Sequence, residues 1–572
     1  MTIPGTPSAV LALATLVLYV AIAPRWIVEG DNAELSGLAA LGGVAHPSGY
    51  PLYVLWLRAW SWLPVGSAAH AAAIATGILT SIEVLLLHSA ARAWGARPAA
   101  ATLVTALVVA SPVVLRVQSQ AEVFAMNGVV AAAILWLVAG GGPLRGEKRV
   151  AMLALVAGLG LSNHLTCAFL APLGILGVVR GVRESTRPRW IVVALGVGAL
   201  VVGLMPYTYL LLAPSTPVSW GKLTGLGGVV RHVLRMDYGG PGELSPHGVH
   251  GVAIANLIAL ARTLGRAFLW LPIVAVAVAW KARSESRAAW LCWLASFAIA
   301  GPLFVARFNL APTALEAYTV SRFHLLPMVL LAIPIAVGLT WLVERIPRRS
   351  PLLAGVVVVA LAGGSLALAL PDVARFHTAA VERSLDNLLE TLPPNAIVIG
   401  SQDILYFGTN YLQAVRGVRP DVTVVFVPHV GLPQYRERLH ERTGADLSVL
   451  VAEKSSTPSV RIAELMLATG RPVFIDQFQA NIAKSFVIYP LGLVFRVLPK
   501  GSALPSIEEL FAMNKALYEK YRFDYPIPGP NDDLAAQAHV QYAAAWRILA
   551  QSLADADHRA YAEGMMHALA PQ

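Results

Sequence analysis

The chain has 572 residues, of which 56% are hydrophobic and only 13% charged, about half the charged share of an ordinary soluble domain. That composition excludes a chain that is soluble throughout and describes one built mainly of lipid-facing helices. The formal net charge is +10, but the Lys and Arg residues stand in short clusters between apolar runs, where they set membrane orientation, so no nucleic-acid partner is expected.

In chain order, apolar runs lie near residues 8–24, 68–91, 99–115, 123–139, 150–179, 190–213, 252–280, 288–306, 323–343 and 351–370, and most are long enough to cross a bilayer. The first ends in Ala21-Ile22-Ala23, which imitates a signal-peptide cleavage site. No Lys or Arg precedes it and Pro24 follows, so a retained span is expected. Cys167 and Cys292 both fall inside apolar stretches and read as small core hydrophobes, without a disulfide or a metal role.

The cationic clusters are Arg92 and Arg97; Arg145, Lys148 and Arg149; Arg180, Arg183, Arg187 and Arg189; Lys281, Arg283 and Arg287; and Arg345, Arg348 and Arg349. The positive-inside rule places all five on the cytoplasmic side. Two of them flank the single 150–179 run, which must therefore go out and back. Ser162-Asn163-His164 interrupts the middle of that run, so two helices are expected, with the polar triplet at the outer bend where backbone groups need partners. The count becomes about eleven spans, with a cytoplasmic N-terminus and an extracytoplasmic C-terminus.

From Asp372 the composition turns soluble. Strand-like runs at Ala396–Ile399, Val422–Val427 and Pro472–Ile475 alternate with helical segments, which suggests a small α/β sandwich with a parallel sheet. Residues Asp533–Leu569 read as Ala-rich helices. The expected fold class is thus a polytopic α-helical membrane domain over 1–370, an extracytoplasmic α/β domain over 371–530, and a C-terminal helical segment over 531–572.

The residues that stand out chemically follow the first span, where Gly30-Asp31-Asn32-Ala33-Glu34 precedes His46-Pro47-Ser48-Gly49-Tyr50-Pro51. Carrying an Asp into hydrocarbon costs roughly 2.5–3.5 kcal/mol, so acids beside a bilayer mark a substrate or ion site by default. On the residues alone Asp31 reads equally as the cap of a short interfacial helix or as a catalytic base. Pro47, Gly49 and Pro51 read as a stiff turn. Glu122 reads either as a polar helix start or as a contact to sugar hydroxyls. Asn163 and His164 read either as the polar bend of the hairpin or as part of a site. Ser401-Gln402-Asp403 follows a strand-like run, where α/β sheets tend to bind ligands. No P-loop, dinucleotide fingerprint, metal-ligand spacing or DxD-type pair in the outer loops is present.

The order of motifs carries a family resemblance. GDNAE with HPSGYPLY, QSQAEVFAMN, GLGLSNHLT, Trp220-Gly221 ahead of Met236-Asp237-Tyr238-Gly239, and LPPNAIVIGSQD with VRGVRPDV together resemble a large bacterial membrane family long known only as a domain of unknown function. That family is similar to protein O-mannosyltransferases and to GT-C glycosyltransferases, which take sugar from a polyprenyl-phosphate donor at the extracytoplasmic face. Leu35 stands where the family pattern has an aromatic residue.

The resemblance implies a glycosyltransferase of the bacterial inner membrane, with a polyprenyl-phosphate hexose as donor, mannose being one candidate sugar, and an extracytoplasmic protein or glycan as acceptor. No obligatory cofactor or metal is expected, since a polyprenyl phosphate leaves without a general acid. Asp31 becomes the expected base, with Glu34 orienting it or binding the acceptor. Arg322 is the expected donor-phosphate cation, with Lys222, Arg231, Arg235 and Arg307 as alternatives. His46 and Tyr50 join it as donor-binding candidates, and Glu122, Asn163, His164, Trp220 and Tyr238 as substrate-binding candidates. Gly221–Gly240 is expected to form a covering loop. The alternative class is a transporter or flippase of a lipid-linked sugar, in which the acids bind cargo and no bond is broken; the outer position of the acids and the absence of a visible repeat favour the enzyme.

Overall fold

The computed structural model describes all residues except 1–5, 241–250, 271, 283, 313, 346–349, 454–457 and 532. The chain separates into two units, one of Met1–Arg25, Gly30–Pro214 and Leu223–His377, the other of Trp26–Glu29, Ser215–Lys222 and Thr378–Gln572.

The first unit is helical. Among the described residues, five helical segments, beginning at Ala68, Leu165, Arg189, Leu325 and Leu352, are long and apolar enough to cross a membrane. The pair Pro98–Val109 and Pro112–Gln118, bent by 62°, adds a sixth if it is one span. Shorter apolar helices cover Thr6–Ile22, Phe124–Val138 and Arg287–Leu303. The 150–179 run is divided where charge parity required it. One helix ends at Asn163, His164 is extended at φ −152° and ψ 138°, and a 3₁₀ helix over Leu165–Leu170 leads into the helix Ala171–Glu184. The polar triplet serves the freed backbone: Thr166 N–H donates to His164 Nδ1 at 3.2 Å, and Asn163 Nδ2 donates to the Val123 carbonyl at 3.2 Å.

Ion pairs gather the cationic clusters. Arg149 pairs with Glu184 at 2.8 Å, Arg180 with Glu285 at 2.8 Å, and Arg97 with Glu344 at 2.8 Å. The first two pairs bring the segments near 145–149, 180–189 and 281–287 to one end of the unit, as a shared side requires. Arg283, Arg348 and Arg349 lie outside the described residues.

Two expectations need correction. The 252–280 run is not one helix: Ala253–Ala267 stops, Leu269 and Trp270 take positive φ of 52° and 56°, and a second helix begins at Pro272. Proline disfavours helical backbone in the residue before it, and Gly265 leaves room for the Trp270 ring to fold back. Likewise Gly221–Gly240 is not all loop, since Gly225–Val233 is helical.

Between the helices Ala68–Ala93 and Phe124–Val138 lies the buried Glu83, whose Oε2 accepts from Gln118 Nε2 at 3.0 Å. Gly128 makes the approach possible, because a Cβ there would stand 2.1 Å from that oxygen. Gly128→Ala is expected to cost about 1–3 kcal/mol and to lower the melting temperature. Adding Glu83→Ala should return part of that loss, and unchanged melting of the single variant would contradict this packing.

The second unit holds a five-stranded sheet: β1 Ile397–Gly400, β2 Thr423–Phe426, β3 Val473–Ile475, β4 Val487–Leu491 and β5 Val494–Leu498, in the order β2-β1-β3-β5-β4. The strands β2, β1 and β3 are parallel, with Ile397 opposite both Thr423 and Val473. All three are buried throughout, as parallel strands covered on both faces must be. The sheet is nevertheless mixed, because β5 runs antiparallel to β3 and forms a hairpin with β4. The hairpin was not legible: β4 is a half-buried edge strand carrying Pro490, and edges are where strands tolerate proline. The helices Asp533–Ser552 and Ala556–Leu569 belong to this unit, where Tyr542 OH accepts from Asn387 Nδ2 at 2.6 Å.

Candidate active site

Asp31 precedes the helix Asn32–Leu41 but makes no side-chain cap to it. Its Oδ2 instead accepts from Arg322 Nη1 at 2.7 Å, and the same nitrogen donates to Glu122 Oε1 at 3.0 Å. Glu122 Oε1 also accepts from Tyr318 OH at 3.0 Å and from the Asp31 backbone N–H at 3.4 Å. Tyr318 OH accepts in turn from Gln120 Nε2 at 2.8 Å. Tyr318 and Arg322 stand one turn apart on the helix Ala314–Arg322 and so share a face. Gly30, at φ 72°, admits this crowding; a Cβ there would lie 2.6 Å from Glu122 Oε1 and 2.7 Å from the Tyr318 ring.

The two acids that share Arg322 are not equivalent. The Asp31 side chain is 28% exposed, whereas that of Glu122 is fully buried. Burial works against a charge on Asp31, yet the Arg322 guanidinium outweighs it and holds the carboxyl below the usual carboxylate range. In Glu122 burial wins over the same guanidinium, and the nearby Asp31 charge adds to it, so its carboxyl is pushed up. Its Oε2 has no hydrogen-bond partner. The cluster thus presents one accessible carboxylate, ionised and oriented, in front of a buried second acid.

Glu34 plays a different part from the one its spacing suggested. Its Oε1 accepts the His46 backbone N–H at 2.8 Å and its Oε2 meets His46 Nδ1 at 2.5 Å. With both oxygens engaged and no exposed side-chain surface, Glu34 clamps the His46–Tyr50 turn and is not open to an acceptor. His46 Nε2 meets Tyr50 OH at 3.0 Å, so both ring nitrogens are occupied and neither is free for a donor phosphate. Tyr50 stacks on His164 with ring centroids 5.5 Å apart and planes 7° from parallel. His164 further leans on Phe124 and Phe323.

Burial alone would lower the His46 pKa, but the Glu34 carboxylate, followed by Asp31, outweighs it and pushes the imidazole up to about 9 from 6.5. Because the folded state holds this proton more tightly, the contact stabilises fully below about pH 6.5 and its contribution fades as pH rises through about 9. The melting temperature of the wild type is therefore expected to fall across that window more steeply than that of His46→Gln. Parallel pH profiles would show that the pair is not an ion pair.

Among the other expected residues, Asn163 is buried and donates to Asn127 Oδ1 at 2.8 Å, a structural role at the hairpin. Tyr238 packs its ring 5.4 Å from the Arg235 guanidinium. Trp220 belongs to the second unit, its ring 4.2 Å from that of His429. Arg235 takes left-handed backbone at φ 58° and its charge acts on both His46 and Tyr50. Its Nε is buried without a partner, and no carboxylate among the described residues pairs with it. Tyr318 was missed as a site residue; its spacing of four from Arg322 was the available signal. Among the described residues, no three His, Cys, Asp or Glu side chains gather as a metal site.

Residues 31–187 match the family model of the protein O-mannosyl-transferase TMEM260 N-terminal domain. Protein O-mannosyl-transferase TMEM260 of Mus musculus is 25% identical over 456 residues, covering 73% of this chain and 61% of the mouse protein. Its namesake in Dictyostelium discoideum is 27% identical over 232 residues, covering 37% of this chain and 28% of that protein. The chain therefore spans less than two thirds of the length of these relatives. In backbone it is similar to apo ArnT from Cupriavidus metallidurans, with a TM-score of 0.51 at 14% identity over 87% of this chain and 99% of that one. Over residues 31–187 the chain thus resembles the protein O-mannosyl-transferase TMEM260 N-terminal domain, and its fold is similar to that of ArnT.

Proposed function

We propose that the chain transfers a hexose, mannose in the first instance, from a polyprenyl-phosphate donor to a hydroxyl of an extracytoplasmic protein or glycan. The observation that carries this reading is the Asp31 carboxylate, the exposed member of a buried acid pair, held ionised by Arg322. The resemblance to the mouse protein O-mannosyl-transferase supports mannose as the sugar and protein as an acceptor.

In a single inverting displacement the acceptor oxygen attacks the anomeric carbon while its proton passes to Asp31. The bond from that carbon to the phosphate oxygen breaks, and the electron pair leaves with the polyprenyl phosphate. No acid is required on the leaving side, and no obligatory metal or cofactor enters the scheme. Arg322 is already shared between Asp31 and Glu122 and acts here by positioning the base. Arg235, which has no acidic partner among the described residues, is the better cation for the donor phosphate, with Tyr50 and His164 as the wall beneath the sugar. In this reading the protein has about eleven spans in a bacterial inner membrane, its N-terminus cytoplasmic and residues 371–572 outside, because the ion-paired cationic clusters mark the cytoplasmic end.

Thermal shift in lipid nanodiscs tests the donor class. Polyprenyl phosphate should stabilise the wild type and do so much less in Arg235→Ala, while a nucleotide sugar should have no effect. Stabilisation by the nucleotide sugar alone would overturn the proposal.

A further inference from the structure

At the end of the first unit where the cationic clusters gather, Glu285 is already balanced. Its side chain is 3% exposed, its Oε2 accepts from Arg180 Nη2 at 2.8 Å, and its Oε1 accepts the Gly140 N–H. Beside it lies a cavity of about 250 Å³, lined by Trp280, Lys281, Glu285, Arg287 and Trp290. Lys281 and Arg287 are exposed, and among the described residues neither pairs with a carboxylate. With Glu285 offset by Arg180, the lining keeps two uncompensated positive charges.

Trp290 supplies an independent observation. It is 5% exposed and packs edge-on against Trp94, with ring centroids 5.1 Å apart, yet its indole Nε1 has no hydrogen-bond partner. An indole N–H can only donate, and a buried donor left unpaired is costly, so an acceptor entering the cavity beside it is favoured. Two free cations and an unused donor together suit an anion rich in acceptor oxygens, such as a phosphate.

The surface below the cavity selects the kind of phosphate. Arg287 opens the helix Arg287–Ala298, and Leu291 and Leu294, four and seven residues later, fall on its face. They are 57% and 52% exposed, so an apolar track runs down the helix from the charged cavity. Trp280 is 50% exposed at the cavity rim, and tryptophan is enriched at membrane–water interfaces. A soluble phosphate would need neither the track nor the rim, and a zwitterionic headgroup would bring its own ammonium against Lys281 and Arg287. Basic pockets between spanning helices on the cytoplasmic side hold anionic headgroups elsewhere. We propose that this cavity binds the phosphodiester of an anionic phospholipid of the cytoplasmic leaflet between Lys281, Arg287 and Trp290 Nε1, with an acyl chain laid along Leu291 and Leu294. The inference rests on this end of the first unit and stands whether or not Asp31 is a base.

The test is native mass spectrometry of the full chain, purified in non-ionic detergent and titrated with phosphatidylglycerol or with phosphatidylcholine of the same acyl chains. A tight phosphatidylglycerol adduct without a phosphatidylcholine counterpart is expected, and excess glycerol 3-phosphate should not displace it. Lys281→Gln/Arg287→Gln should weaken it about thirtyfold, each cation near the membrane surface being worth about fivefold. The control Arg187→Gln/Arg189→Gln removes two exposed cations from a neighbouring cluster and should leave the adduct intact. Trp290→Phe, which keeps a ring but removes the donor, should weaken binding several-fold and provides a second reading if the double variant does not melt like the wild type. Equal binding of the two lipids, binding that survives these variants, or an equal loss in the control would each overturn the proposal. Displacement by glycerol 3-phosphate would also overturn it and make the cavity a site for soluble phosphates.

Discussion

Asp31→Asn is expected to lower kcat for sugar transfer by about 10²–10⁴-fold, the range for loss of a positioned general base, while the protein still folds. The substitution keeps size and hydrogen-bonding shape, and Arg322 retains Glu122 at 3.0 Å, so no buried charge is left alone. Donor affinity should change little, because the phosphate is assigned to Arg235. The comparison variant is Glu34→Gln. Glu34 holds the His46 turn through both oxygens, so its loss should raise KM and lower stability together. If Asp31→Asn kept near-wild-type kcat, the base would have to be Glu122, whose Oε2 is the remaining unpartnered carboxylate oxygen of the cluster.

Arg322→Ala carries the second large effect, and it falls on folding as well as on chemistry. The residue is 9% exposed and neutralises two carboxylates at once. Removing one partner of a buried ionic group costs about 3–5 kcal/mol, since the remaining charge keeps its desolvation penalty. Glu122 should escape by taking up a proton, and Asp31 should then lose the interaction that holds it ionised at neutral pH. Transfer is therefore expected to collapse, with a fall in melting temperature that shrinks at low pH, where the carboxyls are protonated. Arg322→Lys should recover stability better than rate, because an ammonium supplies the charge without the planar fork. Wild-type melting in Arg322→Ala would contradict the ion-pair geometry.

Much of the architecture was legible in one sequence because lipid and charge impose rules that local sequence must obey. The break at Asn163–His164 followed from cationic clusters on both sides of a single apolar run, and the parallel strands followed from short apolar runs between helices. The split at Leu269–Trp270 was hidden by continuous apolarity, and the β4–β5 hairpin by the half-buried edge strand with Pro490. At the site, Asp31 was visible as an acid beside a span. Its partner was not, because Arg322 lies 291 positions away and Glu122 lies 200 positions from Arg322, and no local pattern encodes a contact of that range. Glu34 misled for the opposite reason: a spacing of three put it on the face of Asp31, but the returning turn brought His46 within reach first.

The most direct measurement supplies proteoliposomes containing the wild-type chain with a polyprenyl-phosphate hexose labelled in the sugar and follows where the label goes. The account predicts label joined covalently to a hydroxyl of an acceptor protein or glycan, with free polyprenyl phosphate released in equal amount and neither product formed by Asp31→Asn. Label that crosses the bilayer still attached to its lipid, with no acceptor modified, would contradict it and make the chain a carrier of lipid-linked sugar.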